Sequence, residues 1–387
     1  RVLNATVDIG AFEGETSTTH ELSLEGTENA DTISIAINTT EFVVTINSVV
    51  TIYNTADYDT IHIDGLGNLG GTDQITILGT DQDETVTLDP ASVDVVGQSY
   101  ELHATNFETS TVDAGSGTDS VAMTGSTGSN RLHSHTDYAT LRDSPATYSF
   151  RADGFDTVIV NAPGSGRDYA FLFDSPTKDN LVTTPTQAVL TRDVDGANEA
   201  ETTAAGFQRV YVYATPGGTD EATLTGAEDA RNRFYSYADY SILTESRRSF
   251  YFYARGFDDV TANSPGDGYT YAYLHDSSGV DSFEATPESA TMLRADPWSD
   301  TTASGFMRVY AYSTRGSDDT AQLTGSEAGG NLYRARPTYS TLTDTSRSFY
   351  HYARGFRSVT ATGSIADTTT DRAYLYDSRG DDTLVAS

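Results

Sequence analysis

Apolar and polar residues alternate with a period of two along most of the chain, in short runs bounded by Gly, Asp, Asn and Pro. Asp31-Thr-Ile-Ser-Ile, Asp73-Gln-Ile-Thr-Ile and Asp119-Ser-Val-Ala-Met each follow a Gly- or Thr-rich turn, with Phe42-Val-Val-Thr-Ile and Thr85-Val-Thr-Leu between them. Such β-branched alternation predicts strands that are buried on one face. No stretch carries apolar residues at i, i+3, i+4 and i+7 over three turns. The pattern predicts an all-β protein.

The runs recur. Ala-x-Gly-Phe-x-x-Val occurs five times, with glycines at 154, 206, 256, 305 and 355. An apolar-x-apolar pair precedes each: Val121/Met123, Ala170/Leu172, Ala222/Leu224, Ala272/Leu274 and Ala321/Leu323, and a sixth copy begins at Ala373/Leu375. Copies also alternate. The first, third and fifth continue into Met-Thr-Gly-Ser, Leu-Thr-Gly-Ala and Leu-Thr-Gly-Ser, whereas the others carry Asp-Ser at Asp174, Asp276 and Asp377. The true period is therefore a pair of copies, about 100 residues. The resulting division is 1–25 as a closing segment and linker, 26–118 as an acidic Gly/Asp-rich module, and 119–387 as tandem copies (119–167, 168–219, 220–269, 270–318, 319–370 and 371–387).

Two repeat architectures compete, a parallel β-solenoid and a β-propeller whose blades each take one copy. The solenoid is preferred. Copies merge without a break into the irregularly spaced 26–118 region, which a closed ring would tolerate poorly, and the last copy is partial. Gly before Phe reads as a corner, with Gly supplying the unusual φ. Two turns per copy would place Phe155, Phe207, Phe257, Phe306 and Phe356 in one inward column, beside Val158, Val210, Val260, Val309 and Val359.

Val-Asp-Ile-Gly-Ala-Phe-Glu (7–13) resembles the closing segment of right-handed parallel β-helix domains in large secreted bacterial proteins. The Ala-x-Gly-Phe-x-x-Val and Asp-x-Ala-x-Leu-x-Asp-Ser units are similar to tandem modules of giant bacterial surface proteins. The resemblance implies a right-handed β-helix, an extracellular or cell-surface location and a structural or adhesive task. It brings no catalytic residues. Head-to-tail stacking on copies of itself, or on the rest of a longer parent chain, is the expected partnership, because an open solenoid end must be capped or joined.

Charge narrows the partners further. Lys and Arg number 23 against 56 Asp and Glu, a net charge of −33, and residues 1–130 alone hold 21 acids against Arg1. That balance argues against nucleic acid. No cysteine is present, and no apolar run is long enough for a membrane-spanning helix. Among the 23 bases the only lysine is Lys178. Arginine suits stacking on aromatic rings and pairing with carboxylates.

Gly115-Ser-Gly-Thr-Asp-Ser-Val matches the core of calcium-binding nonapeptide turns, which makes Asp113, Asp119, Asp64 and Asp73 candidate calcium ligands. The competing reading is ordinary Gly/Asp turn chemistry, since these motifs recur every 42–46 residues rather than every nine. His133-Ser-His135 could hold a metal, yet the equivalent positions carry Tyr235 and Tyr237, then Arg334 and Arg336, as an exposed ladder would. Exposed Tyr235, Tyr237, Arg255 and Arg354 suggest a surface for glycans. No nucleophile elbow or distinctive carboxylate pair appears, so no enzyme is expected; a polysaccharide lyase or hydrolase ranks third. The leading reading is an extracellular structural repeat protein (fibre, surface layer or stalk), with a carbohydrate-binding adhesin second.

Overall fold

The structure, a computed structural model, describes residues 20–66, 72–164, 166–194, 196, 199–266, 268–295, 299–315, 318–364 and 370–378. The 7–13 motif and residues 379–387 of the final copy lie outside that set. The described residues form short strands and no helix. They make a parallel β-solenoid. Two compact units divide it: residues 1–175 with 187–209, and residues 176–186 with 210–387.

In each unit the chain passes back and forth between two sheets. Inward residues of every strand alternate with outward ones, as the period of two requires. Ile33, Ile35, Phe42, Leu88, Leu102, Met123 and Phe150 fill the core of the first unit, and Phe234, Phe252, Leu274, Phe283 and Leu323 that of the second. Each such side chain contributes about 1.5–3 kcal/mol on burial.

Parallel ladders are interrupted by antiparallel meanders. In copy 119–167, Ser120–Thr124 and Thr157–Asn161 pair in parallel in the first sheet. Between them Ser129–Ser134, Tyr138–Ser144 and Ser149–Asp153 form an antiparallel meander in the second sheet. In copy 270–318 the roles reverse. Tyr271–His275 and Arg308–Tyr312 pair in parallel in the second sheet, and Ser282–Ala285, Ser289–Leu293 and Asp300–Ser304 meander in the first. One copy thus adds three strands to one sheet and two to the other. Only the next copy, with the sheets exchanged, restores equal growth. This is the physical origin of the 100-residue period. It also excludes propeller blades, because each of the five full copies contributes to both sheets.

The alternation corrects the single Phe/Val column. Gly154, Gly206, Gly256, Gly305 and Gly355 all take positive φ, between 70° and 86°, and turn the chain from one sheet to the other. The direction of that turn alternates. Val158, Val260 and Val359 enter the first sheet, whereas Val210 and Val309 enter the second. Phe155, Phe257 and Phe356 therefore lie at one type of corner, and Phe207 and Phe306 at the opposite type. Their ring contacts are with strand residues, Phe306 on Phe234 and Phe356 on Phe283, each with centroids 6.0 Å apart.

Candidate functional site

The carboxylates come first, because the sequence motif pointed to calcium. Asp73 accepts a hydrogen bond from the backbone N–H of Asp31 at 2.7 Å, and Asp119 accepts one from Glu84 at 2.6 Å. Asp220 does the same for Asp179, Asp319 for Asp281, and Asp371 for Asn331, each at 2.8 Å. An acid just before a strand therefore caps the strand start of a neighbouring rung, satisfying a backbone donor that the corner leaves unpaired. Asp64 binds Leu66 N–H and the Asn106 amide, and exposed Asp113 closes a local turn on Gly115. Asp113, Asp119, Asp64 and Asp73 do not converge. Among the described residues none of them belongs to a group of three side chains placed to share an ion. The Gly-x-Gly-x-Asp pattern is a rung-joining corner here.

Asp276, Asp281 and Asp319, all buried in the second unit, do approach one another closely. Their oxygens already accept from Ser277, Ala295, Ser313 and Thr314. Beside them Arg294 crosses the core. Its guanidinium donates to His275 O, Ser299 O, Thr301 Oγ1 and Ser236 Oγ. Burial pulls Arg294 down to about 10, against Asp281, Asp300 and Asp276, which hold it up. In the first unit Arg192 repeats the arrangement with Phe173 O, Thr202 Oγ1 and Ser134 Oγ. The sequence pointed to arginines stacked on aromatic rings or paired with carboxylates, not to buried ones. Strand parity was the missed signal, since Ala188, Leu190 and Arg192 share one face, as do Ala290, Met292 and Arg294.

His133 and His135 stack on Phe171 and Phe173, with centroids 4.8 and 4.2 Å apart. They belong to an outward aromatic ladder.

The second unit has its own, more developed ladder on the second sheet. Register places Tyr235, Tyr273, Tyr310 and Tyr352 side by side across four parallel or meandering strands. Tyr235 stacks on Tyr273 at 5.0 Å and Tyr273 on Tyr310 at 5.2 Å, with interplanar angles of 9° and 15°. Tyr237, His275 and Tyr312 form a second stack at 4.5 and 5.0 Å. In a third column Arg308 lies over both Tyr271 and Tyr350. Burial pushes the Tyr273 phenol up, and its phenol neighbours add to this, so its hydroxyl remains a neutral donor. Exposed Arg255 approaches Asp239 at 3.8 Å, and exposed Arg354 stands opposite Tyr339. The stacking has a consequence for recognition: ring faces cover one another along the row, so edges and hydroxyls meet the solvent.

The first sheet of the same unit is chemically opposite. Glu221, Asp259 and Asp300 share one column and Thr223, Thr261 and Thr302 the next. Burial raises Asp259, and the neighbouring carboxylates Asp300 and Glu221 raise it further.

A groove of about 430 Å³ opens on the tyrosine side, lined by Arg231, Arg233, Tyr269, Tyr271 and Tyr273. Tyr269 is 56 % exposed. Among the described residues neither Arg231 nor Arg233 is paired with a carboxylate. None of these five belongs to the expected surface set of Tyr235, Tyr237, Arg255 and Arg354, although Arg233 opens the same aromatic strand.

No protein-family model and no curated protein matches the chain.

Proposed function

We propose that the chain is an extracellular structural repeat protein of the bacterial cell surface, a segment of a fibre, surface layer or stalk. Its modules assemble by rung stacking, end to end with copies of itself or with the rest of a longer parent chain. One observation carries this reading: rungs within the chain join one another through devices that recur from copy to copy. Acids at the strand starts cap the backbone of the adjoining rung, and equivalent inward positions repeat from copy to copy. Ala272 and Leu274, on a strand paired with a rung on either side, are fully covered. An unpaired strand edge favours addition of another β-rung. The proposal assigns no catalytic activity.

Negative-stain images and light scattering across a concentration series test the stacking. Rods that lengthen with concentration support it; discrete particles of one mass throughout would overturn it.

Glycan binding is the second reading. Stacked Tyr235 and Tyr237 favour it less than expected, because their ring faces are occupied by neighbours. The groove beside Tyr269 favours it more.

A further inference from the structure

In a chain of copies, residues that hold the fold together recur, and a cluster that departs from the pattern in one copy needs another explanation. Copy 220–269, together with the strand that follows it, contains such a cluster. Arg231 occupies the position held by Ser129 and Gly330 in the other two copies of its type. Arg233 stands where those copies have Arg131 and Leu332, and Tyr269 where they have Arg167 and Thr370. Beside Tyr269, Thr270 replaces the rung acid found as Asp168 and Asp371. Those two acids accept the backbone N–H of Asn130 and Asn331 at 2.8 Å; Thr270 instead accepts from Met307 N–H at 2.9 Å. Thr270 thus keeps a hydrogen bond to a neighbouring rung without the carboxylate that the other two copies carry at this position.

Arg231, Arg233 and Tyr269 meet at the same groove, with Tyr271 and Tyr273. It offers two forked cations with no carboxylate partner among the described residues, phenol hydroxyls as donors, and the exposed ring of Tyr269. Its volume of about 430 Å³ lies within the ~300–1,000 Å³ typical of small-molecule sites. Guanidinium forks match carboxylate and sulfate oxygens. An exposed aromatic ring accommodates the apolar face of a saccharide ring. We infer that this groove binds an anionic sugar residue, carboxylated or sulfated, of an extended polysaccharide. The open groove lets the polymer continue past the bound residue. The site is built from neighbouring strands within one chain and does not need end-to-end stacking, so its test is read on the dilute monomer and stands apart from the stacking test.

Trigalacturonate, a heparin-derived disaccharide and maltotriose serve as carboxylated, sulfated and neutral probes in calorimetric titrations of the full chain at low ionic strength. At least one anionic probe should bind, and the stronger of the two identifies the charged group recognised. Arg231→Gln with Arg233→Gln should weaken that binding by about tenfold or more, as two charge-assisted contacts require. Tyr269→Ala should weaken it as well. Arg334→Gln, on the same face in a different copy, should leave it unchanged, and circular dichroism should show all variants folded. Binding of neither anionic probe overturns the inference. So does maltotriose binding as tightly, or an arginine double variant that binds like the parent.

Discussion

Replacing Arg294 tests how the core of the second unit is held. The side chain is 7 % exposed and joins the two sheets through Ser236 on one and Thr301 on the other. In Arg294→Met the hydroxyls of Ser236 and Thr301 can still bond each other, since they already lie 2.8 Å apart. The carbonyls of His275 and Ser299 lose the guanidinium that serves them. An orphaned buried acceptor costs about 1–3 kcal/mol. Asp276, Asp281 and Asp300 also lose their nearby positive charge. Removing one partner from a buried charged set costs about 3–5 kcal/mol. Methionine packing in the vacated space recovers part of this, leaving an expected loss of about 3 kcal/mol. Urea unfolding followed by circular dichroism measures it, provided the slope with denaturant is unchanged. Arg294→Lys, which keeps the charge with fewer donors, should fall between. A loss below about 1 kcal/mol for the methionine variant would refute the view that the guanidinium is a structural tie.

Further outcomes follow from single residues. Burial draws His351 down to about 4, with the hydrogen bond to Thr286 O opposing, so its neutral form stabilises the fold. That contribution is present above the unfolded value of 6.5 and is lost as pH falls towards 4, on the order of 3 kcal/mol. His351→Phe, which copies Phe252 and Phe150 of related rungs, should shift acid unfolding to lower pH; an unmoved acid midpoint would count against it. Asp119 runs the other way. Burial and then the Glu84 carboxylate, opposed by the Glu84 N–H, raise it to about 6, so its stabilisation is full below 3.8 and lost as pH rises through 6. Asp119→Asn keeps the acceptor for Glu84 N–H and should gain on the order of 2 kcal/mol at alkaline pH and almost nothing in acid; equal gains at both would contradict the charge argument. Two corner glycines should differ. An added Cβ on Gly154 meets only Ala114 Cβ at 4.0 Å, whereas on Gly256 it strikes Ala214 O at 2.3 Å. Gly154→Ala should cost about 1–2 kcal/mol for the positive φ alone, and Gly256→Ala clearly more in the same unfolding assay.

The architecture was legible because its signals are local. Alternation, Gly-Phe corners and the exchange of Thr-Gly-Ser for Asp-Ser all sit in the order of residues, and the last of these marks which sheet takes the meander. The direction of each corner was not legible. Gly154 and Gly206 share motif and φ, yet one leads into the first sheet and the other into the second. Only the count of strands per sheet decides that, and pairing across about 40 residues sets the count. The Asp motif is ambiguous for a related reason. An oxygen that caps a neighbouring rung and one that binds calcium need the same Gly-rich turn. What distinguishes them is whether further oxygens converge, which depends on the next rung.

Net charge illustrates a different limit. A total of −33 predicts repulsion of any polyanion, but a total is not a field at a surface. Strand parity sorts the charges in the second unit: Glu221, Asp259 and Asp300 face outward from one sheet, and Arg233, Arg308 and Arg354 from the other. Over one Debye length, about 8–10 Å, an approaching ligand meets the local rows and not the whole chain. An acidic protein can therefore present a cationic face, and the period of two that builds the strands also segregates the charges. Added salt then acts on two levels. It should raise the melting temperature by screening the acidic rows, while weakening any anion held by Arg231 and Arg233. A melting temperature that falls with salt would mean that pairing between opposite charges outweighs repulsion within the rows.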